Sequence, residues 1–237
     1  MRAALGGFLA VALATGCSAG SATPAAPRLT VLAAASLTEA FEDLGRGTPV
    51  TFSFAGSQQL VAQVEAGAPV DVVATADPDA MDRLARAGLV DPPRTFAANR
   101  LAIAVGHGNP ERVQALADLA RDGLNVVLAD PAVPAGRYAR QALERAGVRV
   151  RPVSLELDVK AVARTVAAGE TDAGIVYATY VTAGSSVPIP DASNVVATYP
   201  VAVVRASVNR PAAEAFVDRL LGQAGRDALT ARGFLLP

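Results

Sequence analysis

Residues that build common metal and catalytic centres are scarce in this sequence of 237 residues, which has one cysteine, one histidine and one lysine. With so few ligands, a zinc site built from cysteine and histidine is not expected. Charged residues make up only 18%, the formal net charge is −1, and no basic stripe occurs. Nucleic-acid binding is therefore not expected either. What the sequence has in quantity is apolar residues, at 51%, which favours buried parallel strands over disorder.

The first 17 residues have the pattern of an export signal. Arg2 gives a positively charged start, and residues 3–14 form an apolar run that is too short to span a bilayer comfortably. The segment LATGC at residues 13–17 resembles a lipobox, in which the cysteine becomes the lipidated first residue. The alternative is an ordinary signal peptide followed by an incidental free thiol at Cys17. Residues 18–27 are rich in Ser, Ala, Pro and Gly, so the sequence predicts a lipid-anchored extracytoplasmic protein on a flexible tether.

From residue 28 onward, apolar runs of strand length alternate with helical patterns. Asp77 and Pro78 form a typical helix start, a capping side chain followed by proline, and the helix they open ends at Gly88. Asp158 is a reasonable cap for the later helix at residues 159–168. This alternation predicts βαβ units and parallel sheets, which bind ligands at the carboxyl ends of their strands. The other predicted elements are strands at 29–34, 49–54, 70–74, 101–105, 125–129, 173–177 and 195–204, and helices at 37–44, 58–66, 137–146, 159–168, 211–221 and 226–231.

Three turns connect predicted strands to helices, and the first two suit either a helix cap or an anion site. Ser36 lies three residues before Glu39, which is the pattern of a capping box. A serine hydroxyl beside the free N–H groups of a helix start is also a site for an anion. Gly56 and Ser57 lead from the second strand into a helix, where glycine lets the backbone approach a ligand closely. The third turn, at residues 130–138, has two prolines, and its spacing alone assigns no function.

Taken together, these motifs resemble those of the periplasmic molybdate-binding proteins (ModA) of molybdate ABC importers. They follow the order of that family and span nearly all of the chain after the export signal, so the set is specific although each motif alone is weak. The segment between residues 37 and 49 is shorter than in the family, which should shorten the first helix only. The matching segments are VLAAASL at 31–37, FAGS at 54–57, AGAPVDV at 66–72, TAD at 75–77, VPAGRYA at 133–139, AGIVY at 173–177, YPVAVV at 199–204 and GF at 233–234.

The resemblance implies an α/β fold of the two-lobed, type II periplasmic-binding-protein class, with a mostly parallel sheet and flanking helices in each lobe. Residues 28–99 and 200–237 would form the first lobe and residues 100–199 the second. Hinge crossings are expected near 98–101 and 198–201. The resemblance also implies an oxyanion site between the lobes, held by three side chains and two backbone N–H groups. The side chains are those of Ser36, Ser57 and Tyr177. The backbone N–H groups are those of Ala135 and Val159.

The resemblance further implies that the protein captures molybdate, or tungstate of nearly the same shape and charge, and delivers it to an ABC importer. The partners would be the permease subunit and its ATPase, and the binding protein itself is expected to be a monomer. No enzyme activity, no cofactor and no direct metal coordination by the protein are expected, because the metal is bound as its oxyanion. Neutral donors suit such a ligand, since hydrogen bonds to charged groups stabilise by about 1.5–3 kcal/mol each.

Other functions remain open at the level of sequence. An enzyme could use Ser57 with Lys160, although His107 lies in a predicted surface turn and no G-x-S-x-G elbow surrounds the serine. A different ligand, such as sulfate, phosphate or iron, would suit the same architecture, and a ligand-sensing domain of a regulator is a third possibility. Asp71 is assigned no chemistry. Arg137 lies near the predicted site, where it either tunes the electrostatic field of the site or is exposed to solvent.

Overall fold

The computed structural model describes residues 28–181 and 184–237. The predicted signal peptide, Cys17 and the tether fall in residues 1–27 and so lie outside the described residues. Within the described ranges, no helix has the length and apolar character needed to cross a membrane.

Strands and helices alternate along most of the described chain, as the sequence predicts. The helices are α1 (Thr38–Gly45), α2 (Ser57–Glu65), α3 (Pro78–Arg86), α4 (Pro134–Arg145), α5 (Val159–Ala167), α6 (Arg210–Leu221) and α7 (Gln223–Ala231). The strands are β1 (Leu29–Ala34), β2 (Val50–Ala55), β3 (Val72–Ala74), β4 (Arg94–Asn99), β5 (Leu101–Val105), β6 (Val126–Ala129), β7 (Ser154–Glu156), β8 (Ala173–Tyr177), β9 (Ser186–Pro188) and β10 (Ala197–Val203).

The strands form two five-stranded sheets. The first has the order β2-β1-β3-β10-β4 and the second the order β7-β6-β8-β5-β9. In the first sheet β10 is antiparallel to both of its neighbours, and in the second sheet β5 is antiparallel to both of its neighbours. The other strands of each sheet therefore point the same way, and the prediction of an α/β fold with mostly parallel sheets is confirmed.

The chain passes between the two sheets twice. It leaves the first sheet after β4 and enters the second at β5, with only Arg100 between these strands. It returns between β9 and β10. Because β10 begins at Ala197, the return precedes residues 198–201, the segment in which the sequence placed it. We call the first sheet with α1, α2, α3, α6 and α7 the first lobe, and the second sheet with α4 and α5 the second lobe.

Local sequence explains how several helices begin. Asp77 accepts a hydrogen bond from the Ala80 N–H at 2.8 Å and so caps α3 as predicted. Asp158 caps α5 in the same way, through the Ala161 N–H at 2.8 Å. At the start of α4, a Cβ on Gly136 would overlap the carbonyl oxygens of Ala129, the last residue of β6, and of Asp130 after it. Glycine therefore lets this helix approach its strand closely.

Of the two alternatives for the first turn, the capping box does not form. Residues Ala35–Leu37 form a turn of 3-10 helix, α1 begins only at Thr38, and the Ser36 side chain makes no capping hydrogen bond. Glu39 instead forms an ion pair with Lys160, with the Glu39 Oε1 and Lys160 Nζ atoms 3.3 Å apart. The chain turn is held by the Thr38 hydroxyl, which donates to the Ala35 carbonyl at 2.8 Å.

Asp71, to which the sequence assigned no chemistry, is a buried structural carboxylate. It accepts hydrogen bonds from the Thr30 N–H at 2.7 Å and from the Ser207 hydroxyl at 2.6 Å. The Asn209 amide lies 3.3 Å from the same carboxylate. Asp71 therefore ties the start of β3 to β1 and to the loop before α6.

Candidate functional site

One small cavity lies where the carboxyl ends of strands from both sheets meet, as expected for sheets of this kind. It brings together all five residues of the predicted site. Its lining consists of Ala34, Ala35, Ser36, Ala55, Gly56, Ser57, Ala76, Val133, Pro134, Ala135, Asp158, Val159 and Tyr177.

The positions of the five residues follow from the elements that carry them. Ser36 lies in the 3-10 turn after β1, and Ser57 is the first residue of α2, after β2. Ala135 is the second residue of α4, Val159 is the first residue of α5, and Tyr177 is the last residue of β8. The two serines thus come from the first lobe, and the other three residues come from the second.

Three helix N-termini supply backbone donors around the cavity. The first N–H groups of an α-helix have no acceptor within the helix, and the positive end of the helix dipole attracts an anion. Ser57 and Val159 occupy the first helical positions of α2 and α5. In α4 the first position is Pro134, which has no N–H, so Ala135 carries the first available donor of that helix.

The cavity also contains hydroxyl groups that are free to donate. The Ser36 Oγ and the Tyr177 hydroxyl are buried and have no hydrogen-bond partner among the described residues. The Ser57 Oγ accepts a hydrogen bond from the Ala76 N–H at 3.0 Å, which fixes the oxygen and leaves the hydroxyl proton available. Burial raises the pKa of Tyr177 well above its usual value, and the neighbouring Tyr199 raises it further. Tyr177 therefore keeps its proton at physiological pH.

The cavity lining carries little charge. Its lining has no arginine or lysine, and its one ionisable side chain besides the Tyr177 phenol is Asp158. One oxygen of that carboxylate is engaged at the start of α5, where it accepts the Ala161 N–H. Among the described residues, no group of three or more histidine, cysteine, aspartate or glutamate side chains could hold a metal ion. The arrangement therefore suits an anion held by neutral dipoles rather than a bare metal cation.

Polar contacts close the two lobes around the cavity. The Tyr180 hydroxyl of the second lobe donates to the Ala35 carbonyl of the first at 2.6 Å. The Gln58 amide on α2 donates to the Leu157 carbonyl at 3.3 Å. Together with the pair between Lys160 and Glu39, these contacts hold the lobes together beside the predicted site.

Arg137 forms an ion pair across the lobes, which answers the question that its sequence position left open. Its Nη2 lies 3.0 Å from the Asp77 Oδ2 and 3.8 Å from the Asp79 carboxylate. The Asp77 side chain is fully buried, and the contact lacks hydrogen-bond geometry, so Oδ2 has no hydrogen bond among the described residues. A desolvated carboxylate needs a nearby cation. The closed arrangement of the lobes supplies one to Asp77.

Comparison with known proteins places this geometry in a family. The model of the bacterial extracellular solute-binding proteins matches residues 29–235. This chain belongs to that family. Molybdate-binding protein ModA of Mycobacterium tuberculosis is 38% identical over 242 residues, which cover 95% of this chain and 93% of the relative. ModA of Escherichia coli is 31% identical and covers 92% of this chain and 93% of its own.

Solved structures of solute-binding proteins have the same fold. The periplasmic molybdate-binding protein of Azotobacter vinelandii covers 88% of this chain and 99% of its own, with a TM-score of 0.77 and 22% identity. The sulfate-binding protein SubI of Mycobacterium tuberculosis aligns with a TM-score of 0.66 and 21% identity, covering 87% of this chain and 85% of its own. At these identities the likeness shows the fold alone. The relatives are solute-binding proteins, in agreement with the prediction that the chain is not an enzyme.

The sequence did not identify two residues that support the site, Ala76 and Asp158. Ala76, in the turn after β3, supplies the N–H that fixes Ser57. It lies in the TAD motif at residues 75–77, to which the sequence pattern alone assigns no role. Asp158 was recognised as a cap but not as part of the cavity lining. The signal for Ala76 was its place after the carboxyl end of a predicted strand, whereas β7, the strand before Asp158, was not predicted.

Proposed function

We propose that this solute-binding protein captures molybdate, and tungstate as well, in the cavity between its lobes and delivers it to an ABC importer. The observation that carries the proposal is a cavity in which donors from both lobes converge without a basic side chain. The similarity to ModA proteins along nearly the whole chain supports the same ligand.

In the proposed complex the anion is held by neutral donors. The hydroxyls of Ser36, Ser57 and Tyr177 and the N–H groups of Ala135 and Val159 each donate to an oxygen of the ligand. Burying a charged group is costly unless it is fully hydrogen-bonded. Each bond to a charged oxygen contributes about 1.5–3 kcal/mol, so a small set of such bonds, with the dipoles of α2, α4 and α5, offsets the loss of water.

Selectivity follows from the nature of the donors and the size of the cavity. Near neutral pH phosphate carries a proton, which needs an acceptor, and a set of donors penalises it. Sulfate is fully deprotonated but smaller, so it cannot reach all donors at once. Molybdate and tungstate have nearly the same shape and charge, and we expect the site to hold both.

Capture would work by closure of the two lobes. Because the proposed ligand contacts lie in both lobes, an anion favours the arrangement in which they meet. The two chain crossings, after β4 and before β10, would act as the hinge. The Arg137 and Asp77 pair and the Tyr180 contact add stability to the closed form. The permease subunit of the importer, with its ATPase, would then recognise the closed monomer.

Membrane attachment through Cys17 is part of the proposal. The family is extracellular, which supports an extracytoplasmic place for the domain. The lipobox-like segment at residues 13–17 supports a lipid anchor. A relative from Bacillus subtilis that is 26% identical over 252 residues carries the description "Putative ABC transporter substrate-binding lipoprotein YvgL".

Titration of the purified protein with molybdate, tungstate, sulfate and phosphate tests the ligand. Calorimetry should show tight, one-to-one binding of molybdate and tungstate. At a ligand concentration of 100 Kd the folded state gains about 2.7 kcal/mol, so the melting temperature should rise by about 5–10 °C. Sulfate and phosphate at the same concentration should give little shift. A flat response to molybdate with a strong response to sulfate would overturn the assignment.

A further inference from the structure

Tyr199 lies directly behind the cavity without lining it. Its side chain is fully buried, and its ring packs edge-on against Tyr177 and Phe234, with centroid distances of 5.9 and 5.4 Å. It stands on β10, which carries the chain back into the first sheet. Tyr199 therefore lies next to the cavity, to the second lobe and to the segment in which the chain returns to the first lobe.

The hydroxyl of Tyr199 faces polar side chains that belong to the site and to the first crossing. The side chains of Ser36, Asn99 and Tyr177 are near enough to lower its pKa, although burial, the larger effect, raises it. Yet neither the Tyr199 hydroxyl, the Ser36 Oγ nor the Tyr177 hydroxyl has a hydrogen bond of normal geometry among the described residues. Buried hydroxyls without partners are rare in proteins, so these three hydroxyls are expected to bond to one another or to a bound ligand.

The orientation of Asn99 fixes one end of this network. Its Oδ1 accepts the Arg100 N–H at 2.9 Å, and its Nδ2 donates to the Thr179 hydroxyl at 2.9 Å. The amide therefore presents its NH₂ group on the Thr179 side, and this group has a second proton to give. Tyr199 can accept that proton and must then donate its own elsewhere.

We infer that Tyr199 is a positioning residue for the anion site, whose hydroxyl donates to the Ser36 Oγ and so directs the proton of Ser36 into the cavity. The inference rests on the proposed function, because the oxyanion is the acceptor that completes the network. The chain of donors then runs from Asn99 through Tyr199 and Ser36 to the anion. Because Tyr199 donates to one of the two lone pairs of the Ser36 oxygen, the Ser36 hydroxyl is biased toward donating its own proton to the anion. Tyr199 thereby favours the donor role of Ser36, which discriminates against phosphate.

The Tyr199→Phe variant tests this role, because it keeps the packed ring and removes only the hydroxyl. We expect its molybdate affinity to fall by about 10-fold, the effect of one neutral hydrogen bond. We also expect the ratio of phosphate Kd to molybdate Kd to fall, since the freed Ser36 can now accept the phosphate proton. The melting temperature without ligand should change little, because the packed ring is kept and only the hydroxyl is removed. Calorimetric titration and thermal melting of wild type and variant measure all three.

The matched control is Tyr138→Phe, which removes the hydroxyl of a half-buried tyrosine on α4 that does not line the cavity; it should behave as wild type. A Tyr199→Phe variant that melts lower but keeps wild-type affinity and selectivity would refute the positioning role. So would a variant in which both anions weaken equally, which indicates a purely structural effect. If the wild-type protein binds molybdate and the Tyr199→Phe variant binds it equally tightly, only this inference is refuted. Wild-type protein that binds no anion refutes the proposed function and this inference with it.

Discussion

Replacing Ser36 and Ser57 together with alanine is expected to weaken molybdate binding by about 10²- to 10⁴-fold. The reason is the loss of two hydrogen bonds to a charged ligand, at about 1.5–3 kcal/mol each, where every 1.4 kcal/mol is a factor of about ten. Both hydroxyls are buried, so water cannot readily replace them. Calorimetric titration of the purified double variant measures the effect.

The two single variants should differ in stability, which separates a role in binding from a role in folding. The Ser36 Oγ has no partner among the described residues, so Ser36→Ala should leave the free energy of unfolding unchanged or raise it. Ser57→Ala leaves the Ala76 N–H without its acceptor, which should lower the free energy of unfolding by about 1–3 kcal/mol. Thermal melts without ligand give this comparison.

The control for the serine variants is Ser53→Ala, an exposed serine on β2, the strand that leads to Ser57. It should match the wild type in both affinity and stability. If the double variant binds molybdate as tightly as the wild type, the two serines are not ligands and the proposed site is wrong.

Replacing Val159 with proline is expected to weaken molybdate binding by about 10- to 150-fold while leaving the fold intact. Proline removes one backbone N–H that we propose as a ligand donor, worth about 1.5–3 kcal/mol. The helix tolerates the change because Val159 is its first residue, where proline is favoured. The preceding residue, Asp158, has φ −154° and ψ 163°, an extended conformation that is compatible with a following proline.

A proline at the start of another helix controls for backbone effects. Gln223 is the first residue of α7, and Gly222 before it is also extended, with φ −81° and ψ −172°. Gln223→Pro lies outside the cavity lining and should leave molybdate affinity unchanged. Circular dichroism should show native helix content in both variants. A folded Val159→Pro protein with wild-type affinity would exclude its N–H as a ligand contact.

Much of the fold was predictable because the apolar periodicity and the capping residues of the sequence indicate the same strands and helices. The run at residues 29–34 and the caps at Asp77 and Asp158 were read correctly from apolar periodicity and capping chemistry. The strands β4, β7 and β9 were missed for physical reasons. β4 begins with exposed Arg94 and Thr95, so its start does not resemble an apolar strand. β7 and β9 have three residues each, which is too short to show the two-residue alternation of a strand.

The candidate site was predictable in its members but not in its interactions. Turns at the carboxyl ends of strands, read through the family motifs, brought all five residues to one cavity. Whether Ser36 caps a helix or faces a cavity depends on the partners that folding places near it, and the S-x-x-E pattern alone favoured the wrong choice. The pairing of Arg137 with Asp77 joins residues of different lobes, and local sequence has no signal for such a contact.

The most direct test of the proposed anion site is a crystal structure of the protein with molybdate, measured at the molybdenum absorption edge. We expect one strong anomalous peak inside the cavity between the lobes. Its oxygens should lie about 2.7–3.2 Å from the hydroxyls of Ser36, Ser57 and Tyr177 and from the nitrogens of Ala135 and Val159. A peak held by surface arginines, with none in the cavity, would contradict it.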